Sequence, residues 1–286
     1  MPLSDYINRG KTSKESAAED LLTIERIETA MPVIRKYVAF FRVYPDLFID
    51  FIKGKDSSFH FYFYQRVFLR AAARYKYTYC TFPRAYSKSF LSILTLMTRC
   101  VLYPNAHLFV TSGGKEQSAG IIQEKVSEIC QLIPAFENEM NVEKGQRGSK
   151  FQKDYVKIAV KNGAWFDNVA ARESSRGKRR HGGVMEECVG IDGDILSQVI
   201  IPTMNISRNI EGERDPEEMI NKSQLYITTA GYKNTFPCEK HTIIGAYSGD
   251  TIRKHFVNAE NCGVVVKTTA NNETLLFNKV TLCQAA

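Results

Sequence analysis

The stretch Thr81-Phe82-Pro83-Arg84-Ala85-Tyr86-Ser87-Lys88-Ser89 carries the residue types that a phosphate site needs. It follows Tyr77–Phe82, which reads as a β-strand, and it opens Ser89–Tyr103, which reads as a helix stopped by Pro104-Asn105. Unpaired backbone N–H groups and the positive end of the dipole at a helix N-terminus attract a phosphate. Lys88 is then placed to reach the outer phosphates of a nucleoside triphosphate, and the Ser89 hydroxyl to hold Mg²⁺. The pattern is degenerate, because Ser87 stands where Gly is usual and the first Gly of the common pattern is absent. A Lys-Ser pair can also open a helix by chance. Arg9-Gly10-Lys11-Thr12 matches the end of that pattern better by letter, yet no apolar strand precedes it, and it reads as an N-terminal turn.

Three further constellations follow in order. Gly182-Gly183-Val184-Met185-Glu186-Glu187 ends a short apolar strand in two acids. In a nucleoside triphosphatase the first acid serves the metal and the second polarises the attacking water as general base. Thr228-Thr229-Ala230-Gly231-Tyr232 ends another strand in small hydroxyl residues that can sense a γ-phosphate. Tyr64-Gln65 lies upstream, where the donor and acceptor of one amide can read adenine. Each has a plainer reading: a surface strand end, a strand-to-loop turn, an exposed helical Gln. Their order and spacing make one coherent nucleotide-motor layout.

The elements that must position these residues follow a βα rhythm. The spacing predicts a helix over Ser16–Phe41, with turns at Pro45 and at Gly54–Ser58. The second half of His60–Ala73 reads as a helix, His107–Thr111 as a strand and Lys115–Leu132 as a helix. Tyr155–Val160 and Ala164–Phe166 flank Asn162-Gly163, a hairpin signal. Gly183–Glu187 and Gln224–Thr229 read as strands. Alternating strands and helices predict an α/β fold with a mainly parallel sheet and helices on both faces. Beyond Phe236 the chain is polar and poorly periodic, apart from a weak Gly263–Val266 run.

Composition narrows the classes. The 286 residues are 44% hydrophobic and 24% charged, which excludes collagen-like, low-complexity and wholly disordered chains. Seven cysteines, widely spaced and without a CxxC pair, argue against a disulfide scaffold and a structural zinc site. No apolar run suits a signal peptide or a membrane span, which gives the expectation of an intracellular protein with no membrane partner. The net charge of +7 is local: Val142–His181 holds eleven Lys or Arg against four acids, and the remainder is balanced. Such a stretch is a solvated face or an attractor of polyanions.

This order resembles the ATPase domain of the large terminase subunit of tailed bacteriophages, over about 46–236. Tyr64-Gln65, Pro83–Ser89, Ala170-Ala171-Arg172 with Ser175-Arg176-Gly177, Val184–Glu187 and Thr228–Tyr232 carry the resemblance. It implies a P-loop NTPase fold of the ASCE type. It also implies residues 1–45 as a helical N-terminal extension, 46–236 as the ATPase domain and 237–286 as an irregular tail or a truncated linker to a nuclease domain. A loop of the form Pro-Arg-x-x-Gly-Lys-Ser/Thr replaces the Gly-rich one in that family. Pro83, Arg84, Ala85, Tyr86, Ser87, Lys88 and Ser89 then hold the nucleotide, with Gln65, Thr228 and Thr229. Arg84 becomes a cis-acting arginine, Glu186 joins Ser89 at Mg²⁺, and Glu187 is the base. Thr228, Thr229 and Ala230 couple hydrolysis to DNA movement, and Arg176 lies near the site or a subunit boundary. Ser87 for Gly and Glu186 for Asp are departures from the family pattern.

The implied activity is ATP hydrolysis that drives double-stranded viral DNA into a prohead, with ATP and Mg²⁺ as ligands. A small terminase subunit, a portal protein and a homo-oligomeric ring are the implied partners. The implied location is the bacterial host cytoplasm, transiently on the prohead portal. Lys144–Arg180 would face DNA phosphates or a neighbouring subunit. Complete members add a nuclease domain needing several converging carboxylates, and Ile243–Asp250 only faintly resembles its first strand, so nuclease activity is not expected. Another P-loop translocase or helicase, and a non-catalytic remnant that binds nucleic acid or a partner, are the alternatives.

Overall fold

The computed structural model describes residues 14–54, 57–82, 84–142, 145, 148–210, 212–229, 265–268 and 274–277. The chain divides into two compact units, 1–43 and 44–286. The first contains α1 (Lys14–Val43), two residues longer at each end than the expected helix, with Pro32 inside it.

In the second unit, Pro45 begins a helix rather than marking a turn. Its fixed φ suits the first helical position, and α2 (Pro45–Ile52) runs from it. Asp46 in that first turn is fully buried and accepts hydrogen bonds from Arg66 Nη1 at 3.2 Å and from Arg70 Nε at 2.9 Å. Both arginines belong to α3 (Phe63–Arg74), so this ion cluster fastens α2 to α3.

The βα rhythm then unfolds as β1 (Tyr77–Phe82), α4 (Lys88–Leu102), β2 (His107–Thr111), α5 (Lys115–Leu132) and α6 (Ala135–Glu139). An antiparallel edge follows, made of β3 (Lys150–Phe151), β4 (Val156–Ala159) and β5 (Trp165–Asn168). Next come β6 (Gly182–Glu186), the two-stranded pair β7 (Asn209–Ile210) and β8 (Glu213–Arg214), and β9 (Ser223–Thr229). The strands β10 (Val265–Thr268) and β11 (Thr274–Phe277) lie within the stretch expected to be irregular.

The sheet order is β11-β10-β1-β9-β6-β2-β5-β4-β3. From β10 to β5 all neighbours are parallel; β11, β4 and β3 add antiparallel edges. The strand that carries the candidate phosphate loop, β1, is separated from the acid-bearing β6 by one inserted strand, β9. That insertion defines the ASCE type of P-loop fold.

Alternation along the strands sends side chains to two covered faces. Tyr79, Phe109, Met185 and Tyr226 share one cluster with Leu196, Ile200 and Met204 from the helical turns Leu196–Ile200 and Ile201–Met204. Against the opposite face lies α4, buried along nearly its whole length, with α3 and α5 beside it. The adjacent Gly182-Gly183 has a packing reason: a Cβ at Gly183 would stand 2.2 Å from the Phe109 ring. A side chain there would drive the ring out of the core.

Candidate active site

Register gathers the candidate residues at one end of the sheet. Phe82 pairs with Thr229, and Ile227 pairs with Glu186, so the C-terminal ends of β1, β9 and β6 lie side by side. In open α/β sheets this is where ligands bind. A cavity of about 550 Å³ opens there. Its walls include Arg84, Ala85, Tyr86, Ser87, Lys88 and Ser89 from the loop, Glu187 from the end of β6 and Thr229 from β9.

The loop turns through the left-handed region twice, at Ala85 (φ 64°) and at Ser87 (φ 50°). Glycine adopts that conformation without strain, whereas a side chain costs about 1–2 kcal/mol. Ser87 thus keeps the conformation natural to the residue usual there, and its side chain is hydrogen-bonded to the Tyr64 hydroxyl. Tyr64 in turn packs its ring 5.5 Å from that of Tyr86. Helix α3 thereby braces the loop.

The two acids occupy different environments. Glu186 is fully buried, and each carboxylate oxygen receives a serine hydroxyl: Ser89 Oγ donates to Oε1 at 2.5 Å, and Ser92 Oγ donates to Oε2. Burial raises its pKa, against the opposing pull of those two hydroxyls and of Lys88. Glu187 stands half-exposed, with a left-handed backbone of its own (φ 47°, ψ 48°). Lys88 Nζ donates to its Oε1 at 2.6 Å, and Gln117 Nε2 donates to its Oε2 at 3.3 Å. The Lys88 hydrogen bond leads the causes that hold this carboxyl below its usual range, and Arg84 adds to it. One strand end therefore presents a shielded carboxyl and an ionised one.

Ser89 and Glu186 form a hard oxygen donor pair at the head of α4. Mg²⁺ commonly takes one or two such protein oxygens and completes its shell with water and phosphate, so these residues fit the ion. No cluster of three or more His, Cys, Asp or Glu suited to a metal occurs among the described residues.

Several candidates sit elsewhere. Gln65 is buried, and its amide is occupied at both ends: Oε1 accepts from Tyr62 N at 3.0 Å, and Nε2 donates to the Tyr64 hydroxyl at 3.4 Å. It closes a capping box at the start of α3 instead of offering a free amide to a base. Thr228 is buried, and its hydroxyl donates to the Thr229 carbonyl at 3.2 Å. Arg176 is exposed, ion-paired with Glu173, and does not line the cavity. Pro83, Lys144, Arg147, Ala230–Phe236, Ile243–Asp250 and Arg9–Thr12 lie outside the described residues.

The basic stretch is not one solvated face. Arg180 is buried beside Asp167, donating from Nε at 3.0 Å and from Nη2 at 2.6 Å, with its guanidinium 4.5 Å from the Trp165 ring centroid. Lys157 lies over the same ring. Lys153, by contrast, is 86% exposed.

Sequence reasoning missed Ser92, Gln117, Lys125 and Glu128. The last two come from α5 and face the loop across the cavity, with Lys125 donating to Glu128 Oε2 at 2.9 Å. Ser92 could have been found, since it stands one helical turn beyond Ser89 on the same face. Nothing in the sequence marks the other three.

No protein-family model and no curated protein matches the chain. Solved structures do resemble it. The large terminase of bacteriophage HK97 superposes with a TM-score of 0.51 at 13% identity, over 79% of this chain and 44% of that one. The large terminase ATPase domain of Thermus phage P74-26 gives 0.41 at 16% identity, over 58% and 65%. The large terminase of a thermophilic bacteriophage, in complex with ADP, gives 0.39 at 10%, over 59% and 39%. The chain spans less than two thirds of each of these proteins. At such identities the likeness is one of fold alone, shared with part of the HK97 large terminase.

Proposed function

We propose that this chain is an ATP-hydrolysing motor subunit that moves double-stranded viral DNA into a prohead. The observation that carries the hydrolytic part is the meeting of Lys88 and Glu187 in a cavity at the head of α4. A cation suited to phosphate and an ionised carboxylate stand in contact in the wall of a space open to solvent. The fold supports the motor part, together with the motif order in the sequence.

In this reading the loop N–H groups at the start of α4 take the phosphates, and Lys88 leaves Glu187 for the γ-phosphate. Arg84, exposed at the cavity rim, neutralises charge that develops there. Glu187 accepts the proton of a water aligned with the breaking bond. Ser89 and Glu186 would hold Mg²⁺, which would supply neutralisation of phosphate charge. Thr229 borders the phosphate space and registers whether it is filled. The exposed lysines of 150–161 are the candidates for DNA phosphate contact, whereas Arg180 serves the fold. The small terminase subunit, the portal, a ring of copies and a host-cytoplasmic location belong to the same proposal.

DNA-stimulated ATP turnover tests it. Wild-type protein is expected to hydrolyse ATP faster with duplex DNA than without. Lys88→Ala, folded by circular dichroism, is expected to lose that turnover. Full activity in Lys88→Ala would sink the assignment of the loop.

A further inference from the structure

We infer that Gln117 is the positioning residue of the base Glu187, an inference that rests on the hydrolytic reading above. Gln117 is exposed on the first turn of α5, the helix that follows β2. It has no part in the phosphate loop or in the acid strand.

Glu187 divides its carboxylate between two partners. Oε1 faces Lys88, and Oε2 faces Gln117 Nε2. The first contact must open when a polyphosphate arrives, because Lys88, at the head of α4, is a cation that would receive it. Released from Lys88, a carboxylate on a short left-handed turn is free to rotate about its own side-chain bonds. The second contact does not compete with phosphate, since an amide N–H donor to Oε2 stays in place while Oε1 turns to water. Gln117 therefore fixes which oxygen is free and where it points, and a base is only as effective as its alignment with the water it deprotonates.

The backbone is shaped for this contact. The β2–α5 loop lies against the turn Cys188–Gly190 so closely that a Cβ on Gly113 would stand 3.2 Å from the Gly190 carbonyl oxygen. Glycine at position 113 lets the two loops approach, and that approach brings Gln117 within reach of Glu187. Helix α5 and the turn after β6 come from separate βα units, so only the packed sheet brings them together.

The test is steady-state and single-turnover ATP hydrolysis of full-length Gln117→Ala and of Gln117→Glu, which keeps the shape but replaces the donor with an acceptor. Losing one hydrogen bond to a charged group corresponds to roughly tenfold in rate. Gln117→Ala is expected to lower kcat by about that factor with the KM for ATP unchanged, and Gln117→Glu to lower it at least as far. Added to Glu187→Gln, the Gln117→Ala change is expected to cost nothing further, because its target carboxylate is gone. A merely structural role would lower the melting temperature, which the exposed position predicts to be unchanged. If Glu187→Gln retains wild-type turnover, the hydrolytic reading itself fails. If Glu187→Gln is inactive while Gln117→Ala stays within twofold of wild type, the positioning role alone fails. A rise in kcat, or a rise in KM at constant kcat, also overturns it, since Gln117 would then be a brake or a nucleotide contact.

Discussion

Lys88 Nζ lies 2.6 Å from Glu187 Oε1 across 99 residues of sequence, so the two groups to which the proposed function gives phosphate binding and base catalysis occupy each other. On the proposed function, nucleotide must break this pair before either group can work. Removing the carboxylate charge frees Lys88 while abolishing the base. Glu187→Gln is therefore expected to bind ATP as tightly as wild type or tighter, and to turn over at least about 100-fold more slowly. Equilibrium binding of ATP beside a single-turnover rate checks both halves. Weaker binding with unchanged rate would show that the pair holds the fold and not the chemistry.

Glu186 gives the opposite kind of prediction. Its carboxyl is buried with serine hydroxyls as its direct hydrogen-bond partners, and burial raises its pKa. Burying a carboxylate costs stability, and on the proposed function Glu186 is kept for the metal. Glu186→Gln keeps the shape and removes the charge. We expect it to raise the melting temperature at neutral pH by about 2–4 °C, the equivalent of roughly 1 kcal/mol in a domain of this size. Hydrolysis should fall to background. A lower melting temperature would mean that Ser89 and Ser92 fully compensate the buried charge.

Arg180 and Lys153 separate fold from surface within one basic stretch. Removing Arg180 takes the cation from Asp167, which is 1% exposed and keeps a hydrogen bond from the Tyr155 hydroxyl at 3.3 Å, and breaking a buried pair costs about 3–5 kcal/mol. Arg180→Ala should melt many degrees lower in differential scanning calorimetry. Lys153→Ala should shift stability by less than about 0.5 kcal/mol. Only the lysine variant should weaken duplex DNA binding at unchanged stability, with a shallower salt dependence.

Acid should loosen the N-terminal ends of β2 and β6, neighbours inside the sheet. His107 and His181 stack at 5.1 Å, and burial pushes both down to about 4. The His107 backbone N–H donates to His181 Nδ1, which must stay unprotonated to accept it. Between pH 6.5 and 4 the unfolded chain takes up protons that the folded one refuses, so stability is lost as the pH falls through that window. Melting temperatures measured from about pH 7 down to about pH 4.5 should fall, and fall less steeply in His181→Gln, which lacks one of the two titrating rings.

The sequence by itself determined several of the elements and the order of the candidate site residues along the chain. β1, β2 and α5 have the bounds that their apolar patterns give, because strand alternation and helical periodicity are local. Lys88, Ser89, Glu186 and Glu187 were legible because a strand end and a helix start can be read from flanking residues. Helix α2 was not legible, since a Pro that opens a helix and a Pro that marks a turn look alike until Asp46 meets Arg66 and Arg70. Arg180 read as surface charge because its neutraliser, Asp167, comes from β5 and is reached only through the fold.

What tertiary structure alone decided was partnership. Gln65 could have faced a base, and packing turned its amide to Tyr62 and Tyr64. Gln117 carried no signal, and the close approach of Gly113 to Gly190 brought it to Glu187. Residue type and spacing set what a side chain can do. Which of those capacities is used depends on contacts between segments far apart in the chain, and those exist only once the parallel strands have set their register.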